Sequence, residues 1–169
     1  MTMKEIEIKD LNENAMTMIG REWMLITAGN KERGYNTMTA SWGHLGSLWG
    51  KMTAVVYIRP SRYTKEFVDR EEYFSLSVLP EKYREELVYL GRHSGRDEDK
   101  VAVTGITPVF DEDTAWFEEA RLVLKCRKLY RAPVIEEGFI DKNVLENCYP
   151  EREFHDIYVA EIVKVMVKE

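Results

Sequence analysis

The chain has 169 residues, 44% apolar and 32% charged, which fits one domain (1–169) with its own core and excludes a disordered chain or two large domains. No apolar run reaches the ~18–20 residues of a bilayer-spanning helix, and the formal net charge of −6 argues against a protein that coats nucleic acid. From Arg21 to Lys65, however, seven Lys/Arg face only Glu22 and Glu32; that segment is +5 and the remainder −11, the pattern of one local anion site in an acidic protein.

The N-terminus alternates acid with apolar residues and lacks a signal-peptide core, so the expected address is cytoplasmic. Trp23–Ala28 and Met52–Ile58 read as short apolar strands, the first closed by Gly29-Asn30 and the second by Pro60. A short helix is expected over Thr64–Arg70, capped by Ser61 or Thr64. In Tyr73–Leu79, Phe74, Leu76 and Val78 alternate with Ser75 and Ser77, as in a strand covered mainly on one side. Pro80–Leu90 has Tyr83, Leu87 and Leu90 at helical spacing, and Gly91 is expected to stop that helix. Further helical turns are expected over Asp97–Val103 and Asp141–Asn147, and strands over Leu122–Tyr130 and Ile157–Val167. Short strands with few helices predict a mainly β fold, a small barrel with short helical decoration, rather than a parallel α/β sheet.

Three segments carry candidate chemistry. In Gly34–Gly43 (GYNTMTASWG), alternation puts Thr37, Thr39 and Ser41 on one face, and Met38, Ala40 and Trp42 on the other. A polar, uncharged face of this kind can hydrogen-bond a flat heterocycle, although threonines chosen for β propensity would give the same pattern. In Arg59-Pro60-Ser61-Arg62-Tyr63-Thr64 a strand ends, Pro60 sets the turn and a helix begins. Its hydroxyls and one or both arginines form a candidate phosphate cradle, against the alternative of a capped helix with solvated arginines. In His93–Lys100, Gly95 permits a tight turn from which Ser94 and Lys100 reach an anion; a plain surface turn fits as well. Trp42, Trp49, Tyr57 and Tyr63 surround these segments and read mostly as core, and Glu71-Glu72 as solvated surface. Cys126 lies in an apolar alternating run and reads as a buried, inert thiol; His44, His93 and His155 have no metal-ligand spacing, and no metal site is expected.

N-T-M-T-A-S-W-G, R-P-S-R-Y-T and S-G-R-D-E-D-K, in this order, with the closing H-D-I-Y-V-A-E-I-V-K-V, resemble the flavin reductase-like family of FMN-binding split β-barrels, which includes the flavoredoxins. The resemblance implies a six-stranded or similar antiparallel, Greek-key-like split barrel, a homodimer, and non-covalent FMN near the dimer interface. It places Asn36, Thr37, Met38, Thr39, Ala40, Ser41 and Trp42 along the flavin ring and ribityl chain. Arg59, Pro60, Ser61, Tyr63 and Thr64 form its phosphate corner, helped by Ser94 and Lys100. The implied activity is NAD(P)H-dependent flavin reduction, with NADH or NADPH as donor. The alternative is a flavoredoxin-like electron carrier served by a redox protein. The redox chemistry belongs to the flavin, so no catalytic side chain is assigned.

Overall fold

The computed structural model describes residues 2–169. Its strands are β1 (Met3–Ile6), β2 (Met24–Asn30), β3 (Gly34–Ala40), β4 (Gly43–Leu48), β5 (Lys51–Ile58), β6 (Tyr73–Val78), β7 (Pro108–Phe110), β8 (Ala115–Phe117), β9 (Leu122–Pro133) and β10 (Asp156–Lys168). The helices are α1 (Ala15–Thr17), α2 (Thr64–Arg70), α3 (Arg84–Arg92), α4 (Lys100–Thr104) and α5 (Lys142–Cys148).

One sheet runs β3-β2-β6-β9-β10-β5-β4, with β1 added on β10, and β7 and β8 form a separate hairpin. Every pairing is antiparallel. Strands β3 and β4 stand at opposite ends of this path, yet only Ser41 and Trp42 separate them in the chain. Three residue steps span at most about 11 Å, so the sheet must curl until its two ends meet. The two ends share no ladder, which leaves the barrel split between them.

The barrel interior is filled by Ile26, Met38, Val56, Phe74, Leu124 and Tyr158. A second apolar layer, including Leu25, Leu87, Leu90, Phe117 and Val123, covers the outside of β2, β6 and β9. Burying each such Leu or Phe contributes roughly 1.5–3 kcal/mol. Because of this second layer β6 is covered on both faces, not mainly on one: Ser75 and Ser77 are fully buried, and Ser75 donates to the Ala115 carbonyl. The alternation at Phe74–Val78 marks the two faces without showing that both are covered.

Other expectations need correction. The helix after Pro80 begins as a 3₁₀ turn and runs through Gly91 to Arg92. Gly91 serves close packing instead: a Cβ there would lie 3.1 Å from the Thr39 Cβ. Neither Ser61 nor Thr64 caps α2, whose N-cap is Tyr63 without a side-chain bond. Glu71 is buried rather than solvated, held by Arg33 and Arg70. Trp42 and Trp49 are not core; they are 46% and 60% exposed. Cys126 is buried as expected, and burial pushes its thiol well above the usual range. Among the described residues no helix is long and apolar enough to cross a membrane.

Candidate functional site

Strand β5 ends at the Arg59-Pro60 step because proline has no N–H to continue the ladder. The chain then turns tightly, with Arg62 N–H donating to the Arg59 carbonyl at 3.0 Å and Lys65 N–H to the Arg62 carbonyl at 3.0 Å. Three residues apart on this turn, Arg59 and Arg62 make separate sets of contacts. Arg59 donates to the Cys148 carbonyl at 3.1 Å and stands 3.8 Å from Glu153. Glu153 also accepts the Ser61 amide at 3.0 Å, and hydrogen bonding from Ser61, its side chain first and then its amide, holds the Glu153 carboxyl below the usual range. That half of the corner is neutralised by the chain itself.

The other half is not. Arg62 donates to the Gly91 carbonyl at 2.8 Å, and Lys100, 4% exposed, donates to the Leu90 and His93 carbonyls at 2.8 and 2.9 Å. These carbonyls cluster at the C-terminal end of α3, where helix carbonyls lack intrahelical partners, so the two cations also cap that helix. A helix end carries only about half a negative charge, against two full positive ones. Neither cation has a carboxylate ion-pair partner among the described residues. Burial, with Arg62 adding to it, lowers Lys100 to about 8; burial and then Arg59 lower Arg62. An ammonium has three N–H donors and a guanidinium five, so hydrogen-bonding capacity remains on both for a ligand.

These groups close on a pocket of about 80 Å³ walled by Asn36, Ser61, Thr64 and Ser94 together with Arg62 and Lys100. Asn36 reaches from β3 to donate to the Thr64 hydroxyl at 2.7 Å, tying the sheet edge to α2. Gly95 lets the loop approach: a Cβ there would sit 2.1 Å from Asn36 Oδ1. Past Met38 and Arg62, which belong to both, lies a cleft of about 200 Å³ bounded by Met38–Trp42, Tyr57, Arg59 and His155. His155 is buried, its Nδ1 2.7 Å from the Tyr149 hydroxyl, its ring 5.1 Å from that of Trp42. Burial, then Arg59, lowers it to about 4, so it is neutral at pH 7.

Residues 16–169 match the family model of the flavin reductase like domain. The chain belongs to that family. Its fold is shared with an FMN-binding domain of a flavin reductases-like enzyme from Shewanella baltica OS155, at TM-score 0.70 and 14% identity, covering 98% of this chain and 77% of that one. The flavoredoxin of Desulfovibrio vulgaris (Miyazaki F) aligns at TM-score 0.67 and 23% identity over 87% and 69%. The styrene monooxygenase flavin reductase of Pseudomonas putida S12 aligns at 0.64 and 14% over 88% and 80%. No curated protein matches the sequence.

Within this flavin reductase-like domain the residues singled out from sequence divide into three groups. Asn36, Ser61, Tyr63, Thr64, Ser94 and Lys100 meet at the small pocket. Met38, Thr39, Ala40, Ser41, Trp42 and Arg59 line the cleft, Met38 also bordering the small pocket. Thr37 and Pro60 line neither. Thr37 is fully buried, its Oγ1 2.8 Å from Thr27 Oγ1 and donating to the Ile26 carbonyl at 3.2 Å, and Thr39 donates to the Leu87 carbonyl at 2.5 Å. The threonine hydroxyls therefore turn to the protein; β3 borders the cleft as an edge strand, offering backbone groups and Ser41.

Sequence reasoning ranked Arg62 no higher than Arg59, read Gly95 only as a turn residue and His155 only as a histidine without metal-ligand spacing, and passed over Arg92; all four line these spaces. For His155 the available signal was its position one residue before the long closing strand. His44 lies outside the cleft, exposed on β4, 3.3 Å from the Tyr57 hydroxyl.

Proposed function

We propose that this domain binds FMN without a covalent bond and works as an oxidoreductase, with the flavin phosphate between Lys100 and Arg62 and the ring in the cleft beside Ala40–Trp42. The carrying observation is a buried lysine beside a half-buried arginine, both bonded only to neutral carbonyls, at a pocket that also presents the Thr64, Ser61 and Ser94 hydroxyls. An unpaired buried cation is costly, and a phosphate dianion supplies the missing charge. Family membership and the FMN-binding relative from S. baltica support the same reading.

When bound, the flavin supplies two-electron redox chemistry. The chain's own residues hold the phosphate, and the β3 edge offers backbone donors and acceptors to the ring. The neutral imidazole of His155, oriented by Tyr149, adds no positive charge to the cleft. NADH or NADPH is the proposed electron donor. A protein donor is the second reading, favoured by the exposure of Trp42 at the cleft mouth, which leaves that edge open to a macromolecule. A homodimer belongs to the same proposal: Leu48, Trp49, Met52 and Tyr130 are exposed apolar residues, with Trp49 and Tyr130 in contact at 6.0 Å.

The first test is titration with FMN and riboflavin, which differ only in the phosphate. FMN should bind far more tightly, and equal affinity would remove the phosphate from this pocket. Rapid mixing of the FMN-loaded protein with NADH and NADPH then separates the readings. Prompt bleaching of the flavin supports the reductase, whereas bleaching only by a reduced ferredoxin-type protein supports the carrier. Sedimentation equilibrium tests the dimer.

A further inference from the structure

Between the C-terminal half of α3 and the edge of β3 lies a recess of about 190 Å³, walled by Trp23, Leu87, Val88, Ser41 and Arg92. It shares Thr39 and Ser41 with the cleft, and Arg92 is its one residue in common with the phosphate pocket. Its floor is fixed. Thr39 donates to the Leu87 carbonyl at 2.5 Å, and Gly91 packs so closely that an added Cβ would lie 3.1 Å from the Thr39 Cβ. A cavity of roughly 150 Å³ holds one benzene ring, whereas sites for larger ligands run to roughly 300–1,000 Å³. The recess therefore has room for a single ring and not for a dinucleotide.

The aromatic wall is held under backbone strain. Trp23 sits at φ 70° and ψ 169°, a region that is essentially glycine's own. It follows the π-helical turn Met18–Glu22, and the two residues before it are clamped. Arg84 donates to the Arg21 carbonyl, and Arg121 pairs with Glu22 and with Glu13, each at 2.6 Å. Such strain persists only where the surrounding contacts over-determine it, and it collects at ligand sites. Arg84 covers one face of the indole, 4.1 Å from its centroid, so the recess meets the other face or the edge. At the rim stands Arg92. Its neighbours Arg84 and Arg96 pair with Glu81 and Glu66, whereas Arg92 pairs with no carboxylate among the described residues. Nor is it needed to cap α3, since Arg62 takes the Gly91 carbonyl and Lys100 those of Leu90 and His93. An apolar slot one ring wide beside a free guanidinium matches an aromatic carboxylate. Arg92 is exposed and its field is screened, so paired N–H···O bonds rather than charge alone must hold the carboxylate.

We infer that this recess binds a small aromatic carboxylate, its ring between Trp23 and the Leu87–Val88 face of α3 and its carboxylate on Arg92, beside the flavin groove and outside it. The site stands without the flavin reading, so it is tested on the full chain both free and loaded with FMN. Benzoate and its neutral counterpart benzamide are titrated by calorimetry and by tryptophan fluorescence. Benzoate should bind at least about tenfold more tightly than benzamide, the margin of a charge-assisted pair, and FMN should leave its affinity within about threefold. Arg92→Gln, at an exposed position that spares the fold, should bring the two ligands within about twofold of each other. Val88→Trp, which fills the recess from the helix surface, should abolish binding of both. Trp23→Phe should keep calorimetric binding and lose most of the fluorescence change. Equal affinity for benzoate and benzamide, or no binding of either, would overturn the site. Displacement of benzoate by FMN, or indifference to Val88→Trp, would put the carboxylate among the phosphate-pocket cations and overturn it equally, leaving the flavin reading intact.

Discussion

Two charge clusters, each built around a buried lysine, lie on either side of α2, and they are built on opposite plans. On one side Lys65 pairs with Asp69 at 2.7 Å and Asp156 at 2.9 Å, Arg131 pairs with Asp156 at 2.7 Å, and the Tyr158 hydroxyl donates to Asp69 at 2.5 Å. Two cations face two carboxylates, and nothing is left over. On the other side Lys100 and Arg62 face only the carbonyls of Leu90, Gly91 and His93. Burial alone does not distinguish the clusters, since Lys65 and Lys100 are both buried. Charge balance does: the neutral cluster fastens α2 to β10, and the positive one lacks an anion that a ligand can bring. A buried ion pair loses several kcal/mol when one partner goes, whereas an uncompensated cation already weakens the empty protein.

The same substitution in the two clusters should therefore give different results. Lys65→Met, which strands Asp69 and Asp156 beside Arg131 alone, should cost about 3 kcal/mol in urea unfolding. Lys100→Met should change stability by under about 1 kcal/mol, because loss of two carbonyl bonds offsets relief of a desolvated charge. It should instead weaken FMN by about 2 kcal/mol and leave riboflavin unchanged. A stability loss at Lys100 equal to that at Lys65 would erase the distinction. Within the corner itself, Arg62→Ala should weaken FMN by about 1.5 kcal/mol and Arg59→Ala by under about 1 kcal/mol, since Glu153 and the Cys148 carbonyl already occupy Arg59. Equal losses would put the phosphate on the outer half of the turn.

The pH dependence sharpens the comparison further. Lys100 stands at about 8 in the fold, below its ordinary value, so between there and about 10.4 the unfolded chain holds more protons. The stability of the free protein should rise with pH through that window, because the cost of a buried charge disappears. FMN binding should move the other way, since the phosphate favours the charged lysine. Its affinity should fall above pH 8 by up to about tenfold per unit while riboflavin stays level. A flat FMN profile in equilibrium titrations would show that Lys100 does not meet the phosphate.

Much of this was open to reading along the chain. The β-branched and aromatic runs at residues 52–58, 122–130 and 157–167 became β5, β9 and β10 with boundaries off by a few residues, because each is long and clearly periodic. The R-P-S-R-Y-T corner appeared where a proline stops a strand, a local effect that needs no tertiary knowledge. Strand β4 carries three small residues, Gly43, Gly46 and Ser47, and no apolar alternation, so it exists through its register with β5 rather than its own preference. The threonine face of β3 was read correctly as polar but assigned to a ligand, although α3 supplies the Leu87 carbonyl that Thr39 bonds.

By itself the order of residues determined the fold class, the strand-rich alternation and the placing of positive charge between Arg21 and Lys65, because periodicity and composition act over neighbours. Only the folded chain decided which cations are neutralised. Glu153 lies far along the chain from Arg59, and the carbonyls that hold Lys100 and Arg62 come from the end of α3. Whether a buried charge is balanced depends on Coulomb interactions over a few ångströms of space, and separation in sequence does not report that distance.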